Sequence, residues 1–563
     1  MRGGAKSDSG ASVRKVVVVG GMAAGASAAA RLRRLDENLE IIVLEKGEYI
    51  SYASCGLPYY VGRVVEDRKK LIIQSPSSMS KRFHLEVRTG HEALEITPAA
   101  RTVKILVRKD GREYDETYDR LLLCLGAKAA LPDLPGMDME NVFTVNDIPG
   151  GDAVRTYVDT RGCARAVIVG AGPVGLEMAE MLRKMNLETH LVDMAGQAMP
   201  AFDPDMASFV LEELLRNQVK PHLGAKVARL DGEGGRAHSA LLDNGEEIKT
   251  DFVLFASGVK PQSGLAERAG LAVGETGGVL VDDYLRTSDP HIYAAGDVIQ
   301  TSSIVSGNAA AFSAAGPAGR QGWIAANNIC GLQIPYHGVQ GTVIVKIFNL
   351  TAAATGLNEK ILQRLGITHQ CVHVAPDSHA GYYPGASTVT IKLLFSPGEG
   401  RVLGAQLVGE SGVDKRADVL STALRSRLTV HDLQELELAY APPYSSAKDP
   451  VNVAAYAAGN VLRGLTEVVR WERAQEYIEE GAFLLDVRTE KEFSKGAVPC
   501  ACNIPLDALR ERCGELPAGR TILVYCLSGL RSYMAARILR QRGFRACNLS
   551  GGWHLYRRLY PRP

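Results

Sequence analysis

Two cysteines lie in surroundings that favour sulfur chemistry. Cys55 belongs to the segment S-Y-A-S-C-G-L-P-Y-Y, residues 51–60, and the Leu-Pro pair after Cys-Gly is typical of a helix start. Backbone N–H groups at such a start stabilise a thiolate. Cys526 opens the segment C-L-S-G-L-R after a hydrophobic run. A loop of this kind turns its N–H groups toward the sulfur, and Arg531 adds positive charge. We predict that both thiols are nucleophiles in redox or sulfur-transfer chemistry.

The other eight cysteines show no spacing typical of metal ligands or of a disulfide framework. No C-x-x-C occurs, and the one close pair is C-A-C, formed by Cys500 and Cys502. This distribution predicts free thiols in a reducing compartment and no metal site. A regulatory role for the close pair stays open, although cysteines this near on one strand rarely form a disulfide.

Two glycine-rich turns provide elements that could hold redox cofactors near the thiols. The first turn, G-G-M-A-A-G at residues 20–25, lies between a β-branched run and a helix, and a second run ends at Glu45. The second turn, G-A-G-P-V-G at residues 170–175, repeats the pattern with a strand that ends at Asp193. Strand, glycine turn, helix, strand and acid form the βαβ fingerprint of dinucleotide binding. Its glycines let the backbone approach a pyrophosphate, and its acid accepts a hydrogen bond from a ribose.

Two such folds in one chain predict a flavin and a nicotinamide. The segment S-D-P-H-I-Y-A-A-G-D-V places Asp297 at a strand end, where its carboxylate can bind the ribityl or phosphate region of a flavin. Asp193 is followed by Met-Ala with no Arg nearby, so NADH is favoured over NADPH. The residues expected to bind FAD are Gly20, Gly21, Ala24, Gly25, Glu45, Gly126 and Asp297, and those expected to bind NADH are Gly170, Gly172, Gly175, Asp193 and Gly258.

Length, composition and charge limit the classes of function. At roughly 150 residues per domain, 563 residues predict three or four domains. The 64 Lys and Arg against 63 Asp and Glu leave a net charge of +1, which attracts neither nucleic acid nor an anionic membrane. No uninterrupted apolar stretch reaches the ~20 residues of a membrane helix. The apolar run at 16–30 is broken by glycines and does not predict secretion. We expect a cytoplasmic protein.

These residues together resemble the FAD-dependent pyridine nucleotide–disulfide oxidoreductases, over about residues 14–455. The segment around Cys55 is most similar to the group of coenzyme A (CoA) disulfide reductases and NADH-dependent persulfide reductases. Lipoamide and glutathione reductases carry C-x-x-x-x-C here, whereas this chain has only one cysteine. The resemblance therefore implies that electrons pass to a mixed disulfide or persulfide on that sulfur, or to a sulfenic acid if the substrate is a peroxide.

The resemblance also implies a homodimer and a CoA site. H-A-G-Y-Y-P-G-A at 379–386 and L-A-Y-A-P-P-Y-S-S-A-K-D-P-V-N at 438–452 look like dimerisation signatures. In this group tyrosines from the partner subunit reach the active site; by position they are Tyr382 and Tyr440, with Tyr444 as a substitute, and a phenol there can protonate a leaving thiolate. The CoA contacts implied by position are Ser27, Arg31, Arg34, Ser51, Ser54, Lys81 and Lys448.

Four positions depart from the family pattern. Met22 occupies the middle glycine position of the first turn and narrows the approach to a pyrophosphate. Cys124 begins Cys-Leu-Gly where Ala-Thr-Gly is usual, Gly319 stands where an amide or His is common, and Ser54 stands where Asn is common. The last three departures predict a different grip on CoA within an unchanged framework.

The C-terminal segment resembles a single rhodanese domain over about residues 470–561. L-L-D-V-R at 484–488, E-F-x-x-G-A-V-P at 492–499 and S-G-G-W ending at Trp553 carry the resemblance, together with the Cys526 loop. Because inactive rhodanese domains usually lack the cysteine, the resemblance implies a carrier of sulfane sulfur. A short charged helix is expected before this domain, from Leu465 to Gln475.

The predicted fold class is α/β, with two Rossmann-like dinucleotide-binding domains, an α+β dimerisation domain and a C-terminal α/β rhodanese domain. The predicted ranges are a disordered tail over 1–13, an FAD-binding domain over 14–125 and 275–333, an NAD(H)-binding domain over 126–274, a dimerisation domain over 334–455, a linker over 456–469 and a rhodanese domain over 470–561.

The predicted function is NADH-dependent reduction of sulfur–sulfur bonds in CoA persulfide, polysulfide and CoA disulfide, through Cys55. In this hypothesis Cys526 carries sulfane sulfur as a persulfide. Three alternatives stay open: CoA disulfide reduction proper, NADH oxidase or peroxidase chemistry, and a non-catalytic sulfur-relay or redox-sensing protein with a vestigial flavin. The physiological sulfur donor, the retention of CoA and a direct transfer between the two thiols are also left open.

Overall fold

The structure is a computed structural model that describes residues 13–560. The predicted disordered tail lies outside the described residues except for Val13. The described chain forms two compact units: the first holds residues 13–163, 230–238 and 251–339, and the second holds residues 164–229, 239–250 and 340–560. Among the described helices, none combines the length and apolar character needed to cross a membrane.

The strands of the described residues follow the predicted α/β order. They are β1 (Lys15–Val19), β2 (Glu40–Glu45), β3 (Glu86–Thr89), β4 (His91–Thr97), β5 (Thr102–Val107), β6 (Arg112–Thr117), β7 (Arg120–Leu123), β8 (Ala127–Ala129), β9 (Val142–Thr144), β10 (Arg165–Val169), β11 (Glu188–Asp193), β12 (Lys220–Leu223), β13 (Val227–Glu233), β14 (Arg236–Leu242), β15 (Glu247–Lys249), β16 (Phe252–Phe255), β17 (Val259–Pro261), β18 (Ile292–Ala294), β19 (Thr301–Ser302), β20 (Ala309–Ala310), β21 (Val343–Ile347), β22 (Leu350–Gly356), β23 (Gln370–Val374), β24 (Val389–Phe395), β25 (Val402–Gly409), β26 (Glu467–Val469), β27 (Phe483–Asp486), β28 (Cys502–Asn503), β29 (Ile522–Tyr525) and β30 (Ala546–Leu549).

The helices alternate with these strands. They are α1 (Ala23–Leu35), α2 (Leu57–Val61), α3 (Pro76–Phe83), α4 (Ile148–Arg161), α5 (Pro173–Lys184), α6 (Pro204–Arg216), α7 (Gly264–Arg268), α8 (Ala315–Ile329), α9 (Glu359–Arg364), α10 (Val413–Arg425), α11 (Val430–Glu435), α12 (Pro450–Leu462), α13 (Trp471–Glu479), α14 (Glu490–Ser494), α15 (Leu506–Arg512), α16 (Leu530–Gln541) and α17 (Gly552–Leu559), and short 3₁₀ turns cover Ser54–Gly56, Arg68–Leu71, Pro98–Ala100 and Cys513–Glu515.

The first unit is built on a parallel sheet with the strand order β18-β7-β1-β2-β3. The valines of β1 are buried, as expected for a central strand that is covered on both faces. Helices α1 and α8 pack against each other beside this sheet. The first glycine turn thus joins β1 to α1, and the predicted βαβ unit is present.

The second unit contains three sheets that matter for the site. Strands β10, β11 and β12 pair in parallel and carry the second glycine turn. An antiparallel sheet follows with the order β21-β22-β25-β24-β23, and a parallel sheet has the order β26-β30-β29-β27-β28. The last sheet places the end of its central strand β29 directly before Cys526.

The predicted helix from Leu465 to Gln475 is present only from Trp471 onward. Residues Glu467–Val469 form β26, which pairs in parallel with β30, and α13 begins only at Trp471. Two adjacent valines disfavour a short helix and fit a strand, and the edge of the parallel sheet offers them a ladder of hydrogen bonds.

A buried ion cluster lies inside the second unit. Lys392 of β24 has no exposed surface and contacts Asp203 at 3.0 Å, Asp205 at 2.7 Å and Glu359 at 2.6 Å. Burial acts to lower the pKa of Lys392, but the surrounding carboxylates outweigh it and raise that pKa above its ordinary value. The lysine therefore stays charged and holds α6, α9 and β24 together.

The same cluster extends to the C-terminal sheet. His373 of β23 contacts Asp205 Oδ2 at 2.9 Å with one ring nitrogen and Ser550 Oγ at 2.7 Å with the other. Glu212 of α6 pairs with Arg557 and Arg558 of α17. Polar contacts of this kind fix the C-terminal sheet on the rest of the second unit.

Candidate active site

A cavity of about 670 Å³ lies in the first unit beside the first glycine turn. Its wall includes Gly20, Met22, Glu45, Gly126 and Asp297. The volume lies within the range of small-molecule and cofactor sites. Four of the residues predicted to bind FAD therefore face one cavity, and Met22 forms part of the same wall.

The first turn accepts no side chains at its outer glycines. Gly20 has a φ of +103°, and a Cβ there would lie 2.2 Å from the carbonyl oxygen of Cys124. A Cβ on Gly25 would lie 1.8 Å from the carbonyl oxygen of Gly20. Glu45 accepts hydrogen bonds from the N–H groups of Gly21 and Gly47, each at 2.9 Å. Strand, turn and acid thus form a cradle that fits the pyrophosphate and ribose of a dinucleotide.

Burial raises the pKa of two ionisable side chains in the cavity wall. Burial raises the pKa of Asp297, and hydrogen bonds from Ala314 and Ser313 oppose this only in part. Burial also raises the pKa of the Cys124 thiol far above its ordinary value. Cys124 is therefore a neutral wall residue, and its departure from the family pattern adds no charge to the cavity.

Cys55 is exposed and lies in the 3₁₀ turn that precedes α2. Its neighbour Ser54 lines the cavity, as does Tyr52. A Cβ on Gly56 would lie 2.7 Å from the side chain of Leu71, so the residue after the cysteine has little room for a side chain. The predicted helix start is confirmed, and it leaves the thiol beside the cavity.

The residues expected to contact CoA divide between the two units. Ser27, Arg31 and Arg34 lie along α1, Lys81 lies in the last turn of α3, and Ser54 borders the cavity. Ser51 adopts a left-handed backbone with a φ of +44°, and its N–H donates to the carbonyl of Gly21 at 3.0 Å. Lys448 is exposed in the second unit, before α12.

The second glycine turn repeats the pattern of the first. Gly170 has a φ of +113°. Asp193 accepts from the N–H of Ala171 at 2.6 Å and from the N–H of Ala195 at 2.7 Å. A Cβ on Gly172 would meet no atom within 4 Å, which leaves the turn open to a ligand. The last residue predicted for NADH, Gly258, belongs to the first unit and has a φ of +95°.

The predicted catalytic tyrosines are exposed on the surface of the second unit. Tyr382 is 78% exposed, Tyr440 is 50% exposed and Tyr444 is 71% exposed. A hydrogen bond with Tyr440 raises the pKa of Tyr382. This hydrogen bond makes Tyr382 and Tyr440 neighbours on the surface. The phenol of Tyr382 stays protonated at neutral pH and is available as a proton donor.

Cys526 is 1% exposed and lies in a loop whose donors point at the sulfur. The N–H of Gly529 donates to Sγ at 3.1 Å, and the hydroxyl of Ser532 donates to Sγ at 3.3 Å. Gly529 has a φ of +115°, which turns its N–H inward. Such a nest stabilises a thiolate and the outer sulfur of a persulfide.

Arg531, which was predicted to add positive charge beside Cys526, forms an ion pair with Glu492. This carboxylate was not identified from the sequence. Its two terminal nitrogens donate to the two carboxylate oxygens of Glu492, each at 2.7 Å. The hydrogen bonds with this guanidinium lower the pKa of Glu492 to about 2. The direct donors to Cys526 among the described residues are Gly529 and Ser532. Backbone donors in this loop were predicted from the sequence, but the hydroxyl of Ser532 was not.

Ser532→Ala is expected to slow persulfide formation at Cys526 by about threefold to tenfold. A hydrogen bond to a charged group contributes about 1.5–3 kcal/mol, and the higher intrinsic reactivity of a less stabilised thiolate offsets part of its loss. The measurement is the rate at which polysulfide adds one sulfur to Cys526, followed by mass spectrometry in the Cys55→Ser background. Ser528→Ala in the same loop is the control, and an equal slowing of both variants would contradict the assignment.

All ten cysteines are free thiols. Cys500 and Cys502 are both exposed, and Cys500 has a left-handed backbone with a φ of +61°. A backbone of this kind does not place the two residues in register on one strand. Their role as a regulatory pair stays a prediction.

Three family models cover most of the chain. The model described as pyridine nucleotide-disulphide oxidoreductase matches residues 14–322, the model of its dimerisation domain matches residues 342–450, and the rhodanese-like domain model matches residues 471–559. The coenzyme A disulfide reductase of Staphylococcus haemolyticus (strain JCSC1435) is 34% identical over 447 residues, which are 79% of this chain and 99% of that protein.

Two solved structures are similar over nearly the whole chain. Reduced Bacillus anthracis CoADR-RHD is 45% identical with a TM-score of 0.96, covering 98% of this chain and 99% of that one. The NAD-dependent persulfide reductase from A. fulgidus is 38% identical with a TM-score of 0.92, covering 96% of this chain and 100% of that one. The predicted set of oxidoreductase, dimerisation and rhodanese domains is confirmed.

Proposed function

This chain belongs to the pyridine nucleotide-disulphide oxidoreductase family, and we propose that within the family it reduces sulfur–sulfur bonds of CoA persulfide, polysulfide and CoA disulfide at Cys55. The observation that carries the proposal is the position of Cys55. This exposed thiol is next to Ser54, which lines the cavity beside the first glycine turn. Its 51–60 segment contains no second cysteine, so an internal disulfide cannot form there. The substrate itself must supply the second sulfur.

The cavity residues support FAD as the resident cofactor. Gly20 and Gly25 allow the tight turn of the dinucleotide fingerprint, Glu45 stands at its ribose position, and Asp297 faces the same cavity. When bound, FAD would accept a hydride from a nicotinamide and provide the electron pair that cleaves a sulfur–sulfur bond.

The second glycine turn supports NADH rather than NADPH as the reductant. Asp193 stands where the ribose hydroxyls of a dinucleotide bind, and its carboxylate would repel a 2′-phosphate. The next side chain is Met194, which is 77% exposed and offers no positive charge. Gly170 and Gly172 before α5, with Gly175 in the first turn of this helix, fit the pyrophosphate.

The proposed reaction at Cys55 accounts for the sulfur–sulfur bonds, the electrons and the proton. The Cys55 thiolate attacks one sulfur of the substrate, a new sulfur–sulfur bond forms to Sγ, and the old bond breaks to release a thiolate or hydrogen sulfide ion. Two-electron reduction of the new bond, for which FAD would supply the electrons when bound, returns Cys55 to the thiolate and releases the second sulfur as a thiolate or hydrogen sulfide ion. Tyr382 and Tyr440, contributed by the partner subunit of a homodimer, donate the proton that the leaving sulfur takes up. The dimerisation domain and the exposure of both phenols support this assignment.

The rhodanese-like domain supports sulfane sulfur as the physiological cargo. Cys526 would hold one sulfur as a persulfide in the nest formed by Gly529 and Ser532. It would pass that sulfur to CoA or to Cys55. A delivery domain of this kind favours persulfide and polysulfide reduction over CoA disulfide reduction alone.

Cys526→Ser tests this division of labour. We expect the variant to lose about tenfold or more of the anaerobic NADH oxidation rate with polysulfide, because its hydroxyl cannot carry sulfane sulfur. Turnover on CoA disulfide should stay at the wild-type level, since that substrate needs no delivery. The matched control is Cys547→Ser, a buried cysteine on the neighbouring strand β30.

Three results would contradict the proposal. Equal rates of wild type and Cys526→Ser with polysulfide and CoA persulfide would remove the delivery role. A wild-type protein that oxidises NADH only when oxygen or peroxide is present would instead be an oxidase or peroxidase. A protein whose flavin absorbance does not bleach with NADH would be a non-catalytic sulfur-relay or redox-sensing protein.

A further inference from the structure

Three arginines at or near the end of α1 have different surroundings. Arg33 is 6% exposed and donates to backbone carbonyls of Phe83, Leu39 and others, so all of its guanidinium is used in the fold. Arg34 is exposed. Arg31 is half-buried and forms no ion pair with a carboxylate among the described residues. Its charge is therefore held at a defined place without being neutralised by the protein.

Two side chains of α8 fix the guanidinium of Arg31. Asn327, which is fully buried, accepts from its Nε at 3.1 Å and from its Nη2 at 2.8 Å. The amide nitrogen of Asn327 donates to the carbonyl of Trp323 at 2.6 Å, which fixes the orientation of the amide. The guanidinium carbon lies 5.2 Å from the ring centroid of Trp323, a cation–π distance. Both partners are neutral, so they orient the charge and leave it available.

The surface around Arg31 has room for a ligand. Ser27 lies one turn earlier on the same face of α1. A Cβ on Gly319 of α8 would lie 3.5 Å from the hydroxyl of Ser27, so this glycine leaves the space beside the serine open. Trp323 itself is 38% exposed. A hydroxyl, an open glycine and an oriented cation together suit a phosphate group.

We propose that Trp323 and Asn327 are positioning residues that hold Arg31 in place for a phosphate of the nucleotide part of CoA. The proposal rests on the proposed function, in which CoA persulfide and CoA disulfide are substrates. It adds two residues that act through Arg31, and it explains why the arginine is fixed by an amide and an indole rather than by a carboxylate. An acid at either place would cancel the charge that the phosphate needs.

The test compares substrates with and without the nucleotide. Trp323→Leu should raise the KM for CoA disulfide by about fivefold, with kcat unchanged, because a loosened Arg31 binds phosphate less well. The KM for pantethine, which has the same disulfide without the nucleotide, should not change. Calorimetry with CoA should show the same fivefold rise in Kd. Tyr284→Leu is the matched control, since Tyr284 stacks on Arg286 at 5.4 Å elsewhere in the same unit.

A double-mutant cycle separates positioning from a general structural effect. Arg31→Gln should raise the KM for CoA disulfide by about tenfold, and adding Trp323→Leu to it should have no further effect. Additive effects of the two substitutions, or an equal rise in KM for pantethine, would overturn the proposal. A wild-type enzyme that reduces pantethine and CoA disulfide with the same KM would also overturn it. Absence of turnover on every sulfur–sulfur substrate would instead overturn the proposed function.

Discussion

Cys55→Ser is expected to lower turnover on every sulfur–sulfur substrate by about 10³-fold or more. A serine hydroxyl is a far weaker nucleophile than a thiolate and cannot form the sulfur–sulfur intermediate. No second cysteine in the 51–60 segment can replace it. The measurement is anaerobic NADH oxidation with CoA persulfide, polysulfide and CoA disulfide in turn.

The control for this variant is Cys502→Ser, which changes another exposed cysteine. It should retain the wild-type rates on all three substrates. The Cys55→Ser protein should keep the flavin absorbance of the wild type and its bleaching by NADH, which shows that the cofactor sites are intact. Turnover that survives in Cys55→Ser would contradict the mechanism and indicate direct chemistry between the flavin and an oxidant.

Lys392→Met is expected to destabilise the second unit by about 3–5 kcal/mol. Removal of one partner from a buried ion cluster leaves uncompensated charge in the interior. Lys392 is the cation that contacts all three of Asp203, Asp205 and Glu359, each within 3.0 Å. Because a multidomain chain does not unfold in one step, the measurement is local: hydrogen exchange of the β24 amides, whose protection should fall by the same free energy.

The pH dependence of this cluster follows from the directions of the shifts. The pKa of Lys392 is raised in the folded state. Its contribution to the free energy of unfolding is therefore complete below the ordinary pKa of 10.5, and it is lost only as pH rises through the folded value. Burial acts to raise the pKa of Asp205 and Glu359, but Lys392 together with His373 at Asp205 and Arg470 at Glu359 outweighs it, and both pKa values are lowered. Their contribution is complete above ordinary values of 3.8 and 4.5 and is lost as pH falls through the folded values. The full effect of the substitution is therefore expected from about pH 5 to pH 10.

Lys184→Met is the matched control for Lys392→Met. Lys184 contacts the buried Glu180 at 2.6 Å, but its own side chain is 48% exposed and Lys346 contacts the same carboxylate. An exposed pair of this kind contributes about 0–1 kcal/mol. Equal losses of β24 protection in the two variants would contradict the account, whereas partial recovery in Lys392→Met combined with Asp205→Asn would support it.

Local sequence patterns predicted the elements that depend on few neighbouring residues. The turns at Gly20 and Gly170 require backbone conformations that glycine adopts freely, and each is followed at a fixed distance by an acid. The loop after Cys526 is likewise a short segment whose glycine turns an N–H toward the sulfur. Such motifs can be recognised from the sequence because the residues that form them are close together along the chain.

Contacts between distant segments escaped prediction. Lys392 meets carboxylates at positions 203, 205 and 359, and no periodicity connects these positions. Arg31 is oriented by Asn327, nearly 300 residues later in the chain, so the sequence showed only a helix charge. The first half of the helix expected over 465–475 is instead strand β26, because its valines pair with β30, a strand about 80 residues later in the chain.

The most direct test of the central claim is to trap the intermediate on Cys55. The protein, reduced with one equivalent of NADH under anaerobic conditions, is mixed with an excess of CoA disulfide, so that the adduct remains once these electrons are used, and is then quenched with acid and digested without reductant. The account predicts a single adduct with the mass of one CoA moiety on the peptide that contains Cys55, and no adduct in Cys55→Ser. Continued turnover with the adduct absent from this peptide, or present on another cysteine in both proteins, would contradict it.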